Sequence, residues 1–332
     1  MNFCILGAGA WGTAMAVHLA RNGQTTTLVP RRYEQALALA STRENALYLP
    51  GIHLEHEIQI ACEPLPALME AEVVLAACPV AGLAEIAGTL QRALPSAWRA
   101  HTFLTLCKGW EATSSLPPPA YLKSQLPEHH VGVLSGPNNA LEVASGKPAA
   151  IVLATQDNPN AATIQKAISD DKLRVYTSAD VAGVSLGGAL KNIYAIGAGI
   201  CTGLGLGDNA TAAFLTRALH EMVRLGSALG GRTESFYGLS GFGDLVATST
   251  GDWSRNRTFG IDIGKGAAVD RLLRDRRTVV EGYKATDTFH RICLEKGIDT
   301  PILAETHGIL HGGKPPAAAL TNLMTRDLRA ES

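Results

Sequence analysis

Short runs of apolar and β-branched residues alternate with longer stretches of helical spacing through the first half of the chain. The runs predict strands over Asn2–Leu6, Thr25–Val29, Val73–Ala76, Thr102–Thr105, Val131–Leu134, Ala150–Ala154 and Arg174–Thr177. Between them, Thr13–Arg21, Tyr33–Ala40, Leu83–Ala93 and Asn160–Ile168 carry the spacing of helices. Strand-helix alternation calls for parallel strands joined by crossover helices, hence an α/β sheet covered on both faces. After about residue 180 the pattern changes. Asp180–Ile200, Asn209–Leu229, Ala285–Lys296 and Pro301–His311 read as helices and no further strand is expected. Ala212, Leu215, Leu219 and Met222 recur at three- and four-residue steps, and Pro301 and Gly312-Gly313 suit a helix start and stop. The expected division is therefore a sheet domain over 1–178 and a helical domain over 179–332. Pro117-Pro118-Pro119 reads as a surface loop.

Composition sharpens this picture in two ways. An apolar fraction of 46% over 332 residues is enough for large buried cores and argues against disorder. Twenty-nine basic against 30 acidic side chains leave a formal charge of -1, which offers no general handle for nucleic acid or an anionic membrane. The six cysteines form no C-x-x-C pair and read as reduced thiols. No metal is expected: His220-Glu221 begins an H-E-x-x-H pattern, but Arg224 occupies the second ligand position, and His307 and His311 lack a third ligand nearby. The most apolar stretch, Leu186 to Leu206, is broken by Lys191, Asn192 and several glycines, so no membrane insertion is expected, and the chain reads as soluble and cytoplasmic.

The first candidate site follows the first strand. Gly7-Ala8-Gly9-Ala10-Trp11-Gly12 stands between a strand and a helix, the context in which G-x-G-x-x-G binds a dinucleotide. Its glycines allow a tight turn, room for a pyrophosphate and close helix-strand packing, and the helix N-terminus presents amides to the phosphates. The second strand ends in Pro30-Arg31-Arg32 rather than in the acid that grips the ribose of NAD. Two guanidinium groups there can hold a 2′-phosphate, which favours NADP(H) with NAD(H) still possible; a solvated basic turn is the other reading.

The second half carries Lys191 on an otherwise apolar, glycine-rich helix. An ammonium there must face a cleft or partner, or else snorkel to solvent. Gly238 to Asp244 forms a glycine-rich loop ending in a carboxylate that can orient a lysine, or a plain turn. Ser254-Arg255-Asn256-Arg257 packs a hydroxyl, an amide and two guanidiniums together, a set suited to a small phosphate or a charged helix face.

With these segments in place, the sequence resembles the bacterial-type NAD(P)-dependent glycerol-3-phosphate dehydrogenases along nearly its whole length. The matching stretches are GAGAWGTA (7–14), NALYLPGI (45–52), CKGWE (107–111), SGPNNALEVASGKPAA (135–150) and GGALKNIYAIGAGI (187–200), followed by GLGLGDNATAAFLTRALHEMVRLG (203–226), GLSGFGDLVATST (238–250), SRNRTFG (254–260) and VVEGY (279–283). The resemblance implies an N-terminal Rossmann-like, doubly wound domain followed by an all-helical domain of the 6-phosphogluconate-dehydrogenase-like type. It also implies a homodimer and a role in glycerophospholipid synthesis.

By the same resemblance, Lys191 is the catalytic lysine and Lys108 a second lysine near substrate and nicotinamide. Asp244, Ser254, Arg255 and Asn256 match the substrate-binding set, and Gly136 and Asn138 a substrate-side loop. Gly7, Gly9, Ala10, Trp11, Gly12, Arg31, Arg32, Lys108, Ala140, Arg255 and Glu281 fall at cofactor positions. The chain departs from the family pattern at Asn138-Asn139, at Cys107 (usually Ser or Thr), at Thr202 (usually Asp) and at Pro30 (often aromatic). The expected reaction is hydride transfer between NAD(P)H and dihydroxyacetone phosphate. A related reductase of a small keto acid and a non-catalytic dinucleotide-binding regulator are the competing readings.

Overall fold

The computed structural model describes residues 1–93, 102–110, 116–275, 280–328 and 330. Glu111 and Val279, from two of the matching stretches, lie outside the described residues. The chain divides into two compact units, Met1–Ser185 and Leu186–Ser332.

Among the described residues the first unit is built on ten strands: β1 (Asn2–Leu6), β2 (Thr25–Val29), β3 (Glu44–Asn45), β4 (Leu49–His53), β5 (Gln59–Ile60), β6 (Val73–Ala76), β7 (Thr102–Thr105), β8 (His130–Ser135), β9 (Ala149–Thr155) and β10 (Leu173–Ser178). Eight form one sheet in the order β10-β9-β8-β7-β6-β1-β2-β5, while β3 and β4 make a separate hairpin. Alternate residues of one strand enter different cores: Phe3 and Ile5 of β1 pack with Met15, Leu28, Leu75 and Leu104, whereas Cys4 and Leu6 pack with Val74, Phe103 and Leu122. Both faces are thus covered, which is why these strands read as continuous apolar runs.

Two expectations need correction. The sheet is not wholly parallel, because β8 and β9 pair antiparallel. The link between them holds only the five-residue helix Ala140–Ala144, too short to carry the chain back along a strand and start a parallel partner. The proline run is not a surface loop either. Pro118 and Pro119 are buried and open the helix Pro118–Gln125, where their fixed φ and missing N–H suit the first turn.

In the second unit the described residues form helices and no strand. The helix Val181–Gly203, which spans the division, is long and apolar enough to cross a bilayer, yet its most apolar stretch is wholly buried in the protein, as a core helix would be. Glycines set how closely its second half is packed. A Cβ on Gly199 or Gly203 would overlap the carbonyls of Arg257 or Ile261, and one on Gly260 or Gly264 would overlap those of Ile196 or Ile200. The helices Val181–Gly203 and Arg255–Gly264 therefore touch backbone to backbone along two successive turns. Gly199→Ala should lower stability by about 1–3 kcal/mol through overpacking, seen as a lower urea midpoint with an unchanged m-value.

Candidate active site

In the first unit, the turn after β1 is shaped by what its glycines leave out. Gly7 has φ +113° and lies so close to Ala77 that any Cβ would overlap that carbonyl, while a Cβ on Gly12 would overlap the carbonyl of Gly7. Gly9 differs, since a Cβ there would meet nothing within 4 Å. Open space thus lies over the N-terminus of the helix Ala10–Arg21, which no side chain caps. Beside it the indole Nε1 of Trp11 is buried without a hydrogen-bond partner among the described residues. An open cradle, uncapped amides and an orphaned donor together fit a pyrophosphate. Sequence reasoning missed how the turn is held. The Ala8 carbonyl accepts from Asn45 Nδ2 at 3.0 Å and from Gln35 Nε2 at 2.9 Å, and Asn45 Nδ2 also donates to Thr13 Oγ1 at 2.7 Å. Asn45 opens the matching NALYLPGI stretch, which was the available signal.

Arg31 and Arg32 separate in the structure. Arg31 is exposed and makes a two-point ion pair with Glu85, at 2.9 and 3.2 Å. Arg32 is exposed at the start of the helix Tyr33–Thr42, with no ion-pair partner among the described residues. Pro30 is buried and Ala140 half-buried at the start of its short helix.

Lys108 follows β7, and its Nζ donates to the Gly136 carbonyl at 2.9 Å and to Asn138 Oδ1 at 2.5 Å. Gly136 sits at φ +143°, where a Cβ would stand 3.0 Å from the Cα of Ile151 in β9, so the loop after β8 requires glycine to present that carbonyl. The two asparagines that depart from the family pattern have distinct tasks. Asn139 caps the helix Ala140–Ala144 by accepting from Glu142 N at 3.0 Å. Asn138 holds Lys108, and its buried Nδ2 has no partner among the described residues.

In the second unit, Lys191 is 5% and Asp244 1% exposed. Lys191 Nζ lies 2.5 Å from Asp244 Oδ1 and 2.6 Å from Thr248 Oγ1, and Thr248 also donates to Asp244 at 3.2 Å. Glycine again makes the reach possible. One turn before Lys191, a Cβ on Gly187 would stand 2.7 Å from the Ser240 carbonyl. Ser240 in turn lies one turn before Asp244, in the wide π-helical turn Leu239–Gly243. The chain segment Gly238–Gly243 thus packs directly on the lysine helix, and Asp244 and Thr248, four apart, meet Lys191 from one helix face. Thr248 was not singled out in the sequence, although it lies in the matching GLSGFGDLVATST stretch.

Ser254 is buried and caps the helix Arg255–Gly264, accepting from Arg257 N at 3.2 Å. The four-residue cluster does not act as one set. Arg257 is tied to Asp252 at 2.8 Å, while Arg255 is exposed. Asn256 bridges inward, donating to Asn192 Oδ1 at 2.9 Å and accepting from Gly282 N at 3.0 Å. Glu281, next to Gly282, is pushed up from the usual carboxylate range by burial, against the opposing pull of Arg255, Lys284 and Lys191. The second unit thus gathers Lys191, Asp244, Thr248, Arg255, Asn256 and Glu281.

The family model described as NAD-dependent glycerol-3-phosphate dehydrogenase N-terminus matches residues 2–161, and the corresponding C-terminus model matches residues 180–321. The chain belongs to the NAD-dependent glycerol-3-phosphate dehydrogenase family. Glycerol-3-phosphate dehydrogenase [NAD(P)+] of Nitrosomonas eutropha is 43% identical over 333 residues, covering 100% of both chains. That of Rhodospirillum rubrum is 40% identical over 331 residues, covering 99% of this chain and 94% of its own. The crystal structure of glycerol-3-phosphate dehydrogenase from Coxiella burnetii superposes with a TM-score of 0.91 at 33% identity, covering 98% of each chain. As a member of this dehydrogenase family the chain is an NAD(P)-dependent oxidoreductase.

Proposed function

We propose that this chain catalyses reversible hydride transfer between a nicotinamide dinucleotide and dihydroxyacetone phosphate, giving sn-glycerol 3-phosphate for glycerophospholipid synthesis. The observation that carries the reading is the buried Lys191–Asp244–Thr248 cluster. An ammonium so deeply placed must have work beyond solubility, since desolvating a lysine is costly even when it is paired. The nucleotide, when bound, supplies or accepts the hydride. Lys191 holds the proton that the ketone oxygen takes up on reduction and recovers it on oxidation. Asp244 balances the ammonium charge, and Thr248 fixes its direction.

The substrate phosphate is assigned to Arg255 and to the N-terminal amides of the helix that Ser254 caps, because a phosphate suits both groups. Asn256 then acts through its backbone N–H and by tying that helix to Asn192, its side chain being engaged on both sides. Lys108, set by Gly136 and Asn138, is assigned to the substrate and nicotinamide end. Gly7, Gly9, Ala10, Trp11 and Gly12 are assigned to the pyrophosphate, and Ala140 and Glu281 to the cofactor. The reading takes the enzyme as cytoplasmic and, as the family resemblance implies, a homodimer. Light scattering of the purified protein tests the dimer.

The proposed cofactor preference is NADP(H), and it rests on Arg32. Arg31 would have to leave Glu85 to reach a 2′-phosphate, whereas Arg32 has no ion pair among the described residues to give up. Arg32→Ala should raise KM for NADPH about 10- to 100-fold, the worth of one charge-assisted hydrogen bond, and leave KM for NADH unchanged. An equal effect on both cofactors would remove Arg32 from the phosphate. The first assay is loss of nicotinamide absorbance on mixing with dihydroxyacetone phosphate, with NADPH and NADH in parallel. No oxidation by folded protein that binds either cofactor would overturn the function and turn attention to carboxylate substrates.

A further inference from the structure

We propose that Cys78 and Cys107 form a disulfide site that takes a hydroperoxide as its oxidant and, once closed, displaces Lys108. The second half of this inference rests on the role given to Lys108 above. The two cysteines lie two residues beyond the ends of β6 and β7, whose register pairs Ala76 with Thr105. The ladder continues one step further, with Leu106 N donating to the Ala76 carbonyl at 2.9 Å. Neighbouring strands run about 4.8 Å apart, inside the Cα separation of about 4.4–6.8 Å that a disulfide spans.

The side chains already face each other. Their sulfurs stand 3.7 Å apart, and Cys107 Sγ donates to the Cys78 carbonyl at 2.9 Å. Closing the bond to about 2.05 Å requires a combined shift of under about 2 Å. The other thiols are set differently: burial pushes Cys4 up to about 12 and Cys201 up to about 11, and raises Cys293, while Cys62 is exposed.

Exposure sets the order of events, because Cys78 is half-buried and Cys107 is 4% exposed. The Cys78 sulfur attacks the peroxide, the O–O bond breaks, and the leaving oxygen departs with the thiol proton as water or alcohol. Cys78 is then a sulfenic acid. The Cys107 sulfur attacks it, the S–O bond breaks, and the hydroxide leaves with the Cys107 proton as water. Two thiols lose two electrons and two protons, and the peroxide gains them.

The consequence follows from the neighbours. Lys108 is adjacent to Cys107 and depends on two short bonds, to Gly136 and Asn138. Ala77, adjacent to Cys78, is packed against Gly7 without room for a Cβ. Drawing the two sulfurs together pulls on the root of Lys108 and on the wall of the glycine turn at once.

The test treats the reduced full-length protein with hydrogen peroxide, quenches it with catalase, alkylates the remaining thiols and maps peptides by mass spectrometry. The expected product is a linked peptide pair containing Cys78 and Cys107, with turnover lost and then restored by dithiothreitol. Cys78→Ser should neither link nor lose turnover under peroxide, Cys107→Ser should not link, and Cys62→Ser should behave as the parent. Oxidation confined to Cys62, or Cys78 driven to sulfinic acid without linkage, would overturn the site. Linkage with unchanged kcat and KM would overturn the coupling to Lys108. Reduced protein inactive on dihydroxyacetone phosphate would instead count against the proposed function, and the peptide map would still decide the disulfide.

Discussion

Lys191→Ala is expected to lower kcat for dihydroxyacetone phosphate reduction by at least about 100-fold, the lower end of what a positioned proton donor contributes, while nucleotide affinity stays unchanged. Nucleotide titration by fluorescence, beside steady-state rates, separates the two quantities. Lys191 lies in the second unit, and the phosphate turn that Gly7, Gly9 and Gly12 build lies in the first, so a variant that is folded but no longer binds nucleotide would sink the assignment. Removing the ammonium also leaves the Asp244 carboxylate buried without its paired charge, at a cost of about 3–5 kcal/mol. Thermal melts must therefore accompany the kinetics. Lys191→Arg sharpens the test. It keeps the positive charge, but a guanidinium does not release a proton at any working pH. If turnover falls as far in Arg as in Ala, the proton is what matters; if Arg restores most of it, charge alone does the work.

The second large effect concerns stability. Glu221 is 1% exposed and accepts hydrogen bonds from the N–H groups of Ile302 and Leu303, both at 2.8 Å, capping the helix Pro301–Gly312. Tyr194 OH approaches the same carboxylate at 3.3 Å. Glu221→Ala strands these buried donors. At about 1–3 kcal/mol for each unsatisfied group, a loss of several kcal/mol is expected, read as a fall in urea midpoint.

The pH dependence has a definite sign. Burial pushes the Glu221 carboxyl up from 4.5 to about 7, against the backbone donors and Arg224. Between those values the folded state binds more protons than the unfolded one, so this group's contribution declines as pH rises from about 4.5 through 7 and levels off above. Glu221→Gln cannot titrate. The stability of the parent relative to Glu221→Gln should therefore increase as pH is lowered from 8 to 5, and a difference independent of pH would refute the assignment.

Much of the fold is legible in the sequence because its strands are buried on both faces and its helices are long. Strands such as Thr102–Thr105 and helices such as Leu83–Ala93 coincide with their patterns to the residue. What escapes the pattern is short or directional. Glu44–Asn45 and Gln59–Ile60 have two residues each, too few to show alternation. The reversal between β8 and β9 depends on the length of the intervening helix, which periodicity does not report. In the candidate site, Lys191 stands out because a charge interrupts an apolar helix, and Asp244 because it ends a glycine run. Thr248 and Asn45 do not stand out, since a threonine or asparagine has many ordinary uses and only the fold shows which partner it meets. The same holds for Asn256, whose type suggests a ligand contact but whose side chain serves the packing of helices.

The position of Lys191 is fixed in large part by side chains that are not there. The helix that carries it meets its neighbours through Gly187, Gly199 and Gly203, at each of which even a methyl group would collide with a backbone atom. Every missense change available to a glycine codon by one base adds at least that methyl. These positions should therefore tolerate no substitution in any library screened for activity, yielding only losses, and selection for altered substrates should find its gains at exposed places such as Arg255. In a mutational scan, the outline of the lysine's support would be drawn by small residues far more sharply than by the charged residues around it.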